Sequence, residues 1–180
     1  TPMINFNGSL THLPGKVWEH EKCLTVDKKY LLDMVARKEE IEADFIAGEY
    51  RKKFYITAPD HEIADPRLFG VENFHPENQF NSDLVTKNPN CILLQTRASD
   101  KYALAEEMNR FYQYQLNINT WGGPLNILEC TPKGVHKAFA LEYLLKVMNR
   151  DKQDLIAFGD EHNDTEMLSF AGKGYAMKNA

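Results

Sequence analysis

Cysteine is scarce in this 180-residue chain and poorly placed for a framework. Cys23, Cys91 and Cys130 are odd in number, far apart and free of any Cys-x-x-Cys spacing, which excludes a disulfide scaffold and a zinc knuckle. A reducing cytoplasm is the expected compartment. No apolar run approaches the roughly 20 residues that a membrane helix requires, so no span and no membrane partner are expected. Positive charge is in deficit: 21 Lys and Arg against 26 Asp and Glu leave a formal charge of -5, which argues against a nucleic-acid binder with its basic stripe. The short cluster Arg51-Lys52-Lys53 reads as a solvated face. There is no basic segment followed by an apolar one near Thr1, hence no visible signal peptide. Internal repeats and low-complexity tracts are missing too. With 43% hydrophobic and 26% charged residues, the chain has the composition of an ordinary soluble protein.

The elements that the pattern predicts fall into two styles. At the start, Pro2 to Phe6 reads as a strand, Asn7-Gly8 as a tight turn, and Ser9 to His12 as the returning strand of a hairpin. Lys16 to Glu21 is a candidate strand. Apolar Leu31, Met34, Val35, Ile41 and Phe45 predict an amphipathic helix over 26–45. Phe54 to Ile56 and Ile92 to Leu94 read as strands, separated by a stretch rich in Pro, Asn, Asp and His that predicts loops. Asp100 caps a predicted helix running to about Tyr114. Leu116 to Thr120 and Leu125 to Leu128 then form a hairpin around Gly122-Gly123-Pro124. After Thr131-Pro132 the pattern becomes helix (135–148), strand (154–158), helix (166–171) and strand (175–177), the alternation of a parallel α/β layer.

Within that last stretch, Leu155-Ile156-Ala157-Phe158 is a short apolar run without alternation, which predicts a strand buried on both faces. It stops in Gly159-Asp160-Glu161-His162-Asn163-Asp164. In an open α/β sheet, chemistry gathers at the carboxyl ends of the strands, where these polar residues would lie. Asp160 and Asp164 alone could equally be capping residues for the helix beginning near Thr165. A calcium loop of the EF-hand kind is excluded, because Thr165 stands where its glycine should be and Ala171 where its last glutamate should be. His162 reads as solvated, and the absence of a Gly-x-Ser-x-Gly elbow leaves no support for a serine triad.

The helix that precedes this strand opens with Lys133-Gly134-Val135-His136-Lys137-Ala138. A lysine at a helix start, followed by a strand-end Gly-Asp-x-x-Asn-Asp-x-x-Met-Leu, resembles the third and fourth motifs of the haloacid dehalogenase superfamily, specifically its Cof-type phosphatases. The opening Ile4-Asn5-Phe6-Asn7-Gly8-Ser9-Leu10 is similar to the strand and Asn-Gly turn that precede the cap in that family.

The resemblance implies an α/β fold, a Rossmann-like core with an inserted α+β cap. Residues 1–13 would be a core fragment, 14–131 the cap and 132–180 the C-terminal part of the core. It also implies a magnesium-dependent phosphatase acting on small phosphorylated metabolites through an aspartyl-phosphate intermediate. Asp160 would be a hard oxygen ligand for Mg2+, with Asp164 supporting the metal or the lysine. Lys137, preferred over its rival Lys133 because the family's lysine follows the Gly-Val-x step, would place positive charge on the transferring phosphoryl group. Asn163 and Asn7 would contact the phosphate.

One departure is large. The family's nucleophile is the first aspartate of an Asp-x-Asp motif, and no Asp-x-Asp occurs in these 180 residues. The strands that carry it and the next motif would lie between those of Ile4 to Phe6 and Leu155 to Phe158. The chain is therefore expected to be part of a longer protein and to be inactive alone. Ala138, where relatives commonly carry glycine, is a smaller departure. The alternative functions are a non-catalytic phosphate- or metal-binding or regulatory module with a degenerate core, and a cap serving as an interaction domain.

Overall fold

A computed structural model describes residues 1–58 and 64–178. The chain opens with a three-stranded antiparallel sheet, β1 (Met3–Asn5), β2 (Leu10–His12) and β3 (Lys22–Cys23). The initial hairpin is as the sequence predicts. Lys16 to Glu21, by contrast, is connecting loop. The pairing of Leu10 with Cys23 and Thr11 with Lys22 puts the third strand just beyond that segment.

Next come α1 (Lys28–Ala36), β4 (Ala43–Tyr50), β5 (Lys53–Ile56), β6 (Cys91–Thr96), α2 (Lys101–Phe111), β7 (Leu116–Thr120) and β8 (Ile127–Pro132). These five strands form one antiparallel sheet in the order β5-β4-β6-β8-β7. The predicted helix over 26–45 is thus corrected: it ends at Ala36, and its last residues belong to β4, the longest strand of the sheet. The apolar spacing at Ile41 and Phe45 matched a helix, but β4 is held by hydrogen-bonded neighbours on both sides, β5 and the distant β6. A local window does not contain those partners. Between β5 and β6 the described residues make three single turns of 3-10 helix. Glu62 and Ile63, at the head of the loop segment running to Lys87, lie outside the described residues.

The sheet has two different faces. Ile46, Ile92, Leu94, Leu128 and Cys130 pack under α1 and α2, against Leu31, Met34, Ala105 and Met108. Phe45, Ala47, Phe54, Leu93 and Ile127 point the other way, toward Phe69, Phe74, Phe6 and Trp121. The period-2 alternation of the strands sorts the residues between these layers. Asp100 caps α2 through hydrogen bonds from the N–H groups of Tyr102 and Ala103, as predicted.

The last segment is α3 (Lys137–Val147), β9 (Ile156–Gly159), α4 (Thr165–Phe170) and β10 (Lys173–Ala176), with β9 and β10 parallel. The fold is α/β, with an antiparallel α+β unit between β3 and α3. One expectation for β9 fails: only Ala157 and Gly159 are buried, whereas Ile156 and Phe158 are exposed. Among the described residues β9 pairs only with β10, and α4 packs against it. Phe158 stacks on Tyr175 on the open side.

Candidate active site

The carboxyl end of β9, the start of α3 and the turn after β1 meet at one place. Phe6, Asn7 and Gly8 all have positive φ, a tight left-handed turn that lifts Asn7 out of the hairpin. Gly8 is required there: a Cβ would lie 2.6 Å from the His136 carbonyl oxygen, so only glycine lets the turn seat against the start of α3. His136 caps α3, accepting from the Phe139 N–H at Nδ1, 3.3 Å away. Asn117 on β7 donates to the Val135 carbonyl at 3.0 Å and accepts from the Gly134 N–H at 3.4 Å, fastening the approach to the helix. Lys137 therefore begins α3 with its side chain directed at the β9 end.

There its Nζ lies 2.6 Å from Asp164 Oδ1 and 3.1 Å from Asn163 Oδ1. Asn163 in turn donates to Asn7 Oδ1 at 3.3 Å. Of the residues singled out from sequence, Lys137, Asn163, Asp164 and Asn7 are joined in one hydrogen-bonded chain. Asp160 stands exposed at the head of the same loop, where β9 ends. Lys133, the rival lysine, is exposed in the turn ahead of the helix.

Asp164 is buried and provides no side-chain cap for α4. Its Oδ2 accepts from the backbone N–H groups of Asp160 and Glu161, at 3.1 and 3.2 Å, and so shapes the loop that carries Asp160. Burial pushes the Asp164 carboxyl up, but the Lys137 ammonium and the two N–H groups outweigh it and hold the acid below its ordinary range. Gly159 makes this packing possible, since a Cβ there would lie 2.5 Å from the Asp164 Cβ.

The two aspartates at the strand end, Asp160 and Asp164, offer hard oxygen donors. Magnesium binds through one or two carboxylates together with waters and substrate oxygens, and an exposed Asp160 suits that pattern. Both Asp164 oxygens are already engaged within the protein. Among the described residues no group of three or more His, Cys, Asp or Glu forms a closed metal cage.

Glu129 joins this hydrogen-bonded set from the five-stranded sheet and Glu49 shares its face, and sequence reasoning singled out neither. Glu129 on β8 accepts from Asn7 Nδ2 at 2.6 Å and from Trp121 Nε1 at 3.0 Å, both at Oε2. Glu49 on β4 lies on the same face and accepts from the Cys91 thiol at 3.6 Å. A cleft of about 450 Å³ runs between this face and the strand end, lined by both glutamates, Trp121, Lys137, Asp160 and Asn163 among others. Trp121 is held by its loop, whose carbonyls at Trp121, Gly123 and Leu125 all accept from the buried Lys101 Nζ, at 2.7, 3.1 and 2.9 Å. Burial raises the Glu129 carboxyl, against the pull of the Trp121 N–H and Lys137. Burial also pushes Glu49 up to about 7, with the Cys91 thiol opposing and the Glu129 charge adding to the rise. A signal for Glu129 existed: it is a lone charge in the run Ile127-Leu128-Glu129-Cys130, but the predicted strand stopped at Leu128.

Residues 1–180, the whole chain, match the profile of a family described as haloacid dehalogenase-like hydrolase. The chain belongs to this family. Among curated proteins, the 5-amino-6-(5-phospho-D-ribitylamino)uracil phosphatase YitU of Bacillus subtilis is 28% identical over 185 residues, covering 99% of this chain and 66% of that protein. An HMP-PP phosphatase of Cronobacter sakazakii is 48% identical over 56 residues, 31% of this chain and 21% of its own length. Among solved structures, one from Thermotoga maritima superposes with a TM-score of 0.73 at 25% identity, covering 99% of this chain and 65% of its own. Another, from Streptococcus mutans, gives a TM-score of 0.78 at 22% identity and covers 99% of this chain and 66% of its own. The chain thus spans just under two thirds of the length of YitU and of these two structures. The likeness extends through the five-stranded unit as well as the segment with β9 and β10.

Proposed function

We propose that these residues form the phosphate- and metal-binding side of a magnesium-dependent phosphatase that hydrolyses small phosphorylated metabolites through an aspartyl-phosphate intermediate. The observation that carries this reading is the hydrogen-bonded set Lys137–Asp164–Asn163–Asn7 beside the exposed Asp160. Residues 14–131 serve as the cap, and 1–13 with 132–180 as this chain's share of the core. The named activities of the Bacillus and Cronobacter relatives, both phosphatases of small phosphorylated compounds, support the substrate class.

In this reading Lys137 neutralises a non-bridging phosphoryl oxygen, and its ion pair with Asp164 fixes where that charge sits. Asn163 and Asn7 donate amide hydrogens to the phosphate and orient it toward its attacker. Asp160 would hold Mg2+, which supplies further neutralisation of the phosphate when bound. Asp164 acts on the phosphate through Lys137 and on the metal through the backbone of 160–161. The aspartate nucleophile is contributed by sequence beyond these 180 residues, which contain no Asp-x-Asp. Three free cysteines, two of them buried, suit a reducing cytoplasm.

Phosphate release from 4-nitrophenyl phosphate tests this. The full-length protein should be active with Mg2+ and lose activity on Asp160→Ala, while the 180-residue polypeptide releases none. Turnover by the polypeptide that disappears on Asp160→Ala would overturn the placement of the nucleophile. A full-length protein that binds phosphate and Mg2+ without turnover would instead be a non-catalytic binding module.

A further inference from the structure

Away from the strand end the second face of the five-stranded sheet is largely apolar, with Gln95 as a polar exception between Phe45 and Ile127. Strand register puts Ala47, Leu93 and Glu129 in one row across three strands, with Glu49 and Cys91 in the next. Positions of this phase elsewhere on the face are filled by Phe45, Phe54 and Ile127. Two carboxylates therefore occupy places where packing alone would select hydrocarbon, and each pays a desolvation penalty there. Glu129 is 7% exposed. Both of its hydrogen bonds fall on Oε2, which leaves Oε1 without a partner among the described residues, in a side chain that lines the cleft. That oxygen faces a cleft open to solvent, where a donor on a ligand can take the place of water.

The cleft gives that donor its identity. Its floor is the Lys137–Asn163–Asn7 set that takes the phosphate in the reading above. Glu129 is one hydrogen bond from that floor, through Asn7, and Glu49 stands beyond it on the opposite wall. The two glutamates thus line the same cleft as the set that takes the phosphate in that reading. Lys137 is the single cation among the described residues that line the cleft, and it is committed to Asp164. Nothing in that lining is left to neutralise a second anion. The Trp121 indole, fixed by Lys101, supplies a flat apolar edge beside the acids.

We infer that Glu129 and Glu49 form the leaving-group subsite, and that they select phosphomonoesters whose leaving group carries hydroxyl or ammonium donors and no negative charge. The selection is partly attractive, through the open Oε1 of Glu129, and partly repulsive, because a leaving group with its own carboxylate would face two acids in a poorly solvated cleft. This rests on the phosphatase reading.

The test uses the full-length enzyme and hexose 6-phosphates that share one scissile bond. Glucosamine 6-phosphate and glucose 6-phosphate should exceed 6-phosphogluconate in kcat/KM by about tenfold or more. Glu129→Gln and Glu49→Gln, which preserve shape and remove charge, should each lower the ratio of glucosamine 6-phosphate to 6-phosphogluconate several-fold, whatever they do to the absolute rates. Melting curves of both variants establish that they are folded. If the wild type hydrolyses 4-nitrophenyl phosphate but treats the three hexose phosphates alike, or if both variants leave the ratio where it was, the subsite is overturned while the phosphatase reading stands. If 4-nitrophenyl phosphate is not hydrolysed at all, the phosphatase reading fails and the subsite fails with it.

Discussion

The same strands build both faces of the five-stranded sheet, yet the two faces follow different rules. Under α1 and α2 the layer is packed with hydrocarbon, and its buried polar groups, such as the Thr96 and Tyr112 hydroxyls, are hydrogen-bonded within the protein. Across the sheet, aromatic side chains pack as densely near Phe54 and Phe69, but the row ends in Glu129 and Glu49. One face is optimised for burial. The other gives up burial where it meets Asn7 and the Lys137 set, and the acids there keep unfavourable protonation energetics in exchange for contact with the cleft. A chain selected for stability alone would have continued the apolar row.

The largest difference between the faces should appear in activity. Asp160→Asn, at an exposed position on the cleft side, should lower phosphate release by the full-length enzyme by about 10²–10³-fold, the loss typical of removing one electrostatic contribution at a reacting centre. Its melting temperature should stay close to wild type. Equal losses of both would place Asp160 in the scaffold.

Ile92→Ala, on the helix-covered face, reverses the pattern. Ile92 is fully buried, so its truncation should cost about 2–5 kcal/mol in urea unfolding while the kinetic constants of the surviving folded enzyme change little. A cost below about 1 kcal/mol would mean that α1 and α2 are not sealed on the sheet.

Glu49→Gln should stabilise the protein, and only at higher pH. The folded chain raises the Glu49 carboxyl from 4.5 to about 7, so it holds that proton more tightly than the unfolded chain does. The resulting contribution is fully present below about pH 4.5 and is lost as pH rises through 7. The variant should therefore match wild type near pH 4 and exceed it at pH 8.5 by on the order of 2–3 kcal/mol. Stabilisation of equal size at both pH values would show that packing, not ionisation, is responsible. The smallest effect is expected at Asp100, which does not line the cleft, where Asp100→Ala removes the cap of α2 for about 1 kcal/mol without altering selectivity.

How far these features could be read beforehand depended on the range of the interactions that make them. The Asn7-Gly8 hairpin, the Asp100 cap and the β7–β8 hairpin rest on neighbours within a few residues, and all were visible in the sequence. So was the loop after Gly159. The first three residues of β4 were misread as the end of a helix because its partner β6 is some fifty residues away in the chain. The apolar run of β9 was misread as buried on both faces because composition does not record what stands beside a strand.

The candidate site divides in the same way. Local order and residue type at 133–138 and 159–164 were enough to pick out Lys137, Asp160, Asn163 and Asp164 and to point to the family. They also prepared the local geometry: a capped helix start, and a loop that folds back on its own aspartate. What only the tertiary structure decided is which residues stand opposite. Asn7 and Glu129 are 122 positions apart and hydrogen-bonded, and Glu49 reaches the cleft from the part of β4 that carried no prediction. The packing of one sheet's turn against the face of another brought Asn7 to Glu129, and a local window of sequence does not contain the partner that a residue will face.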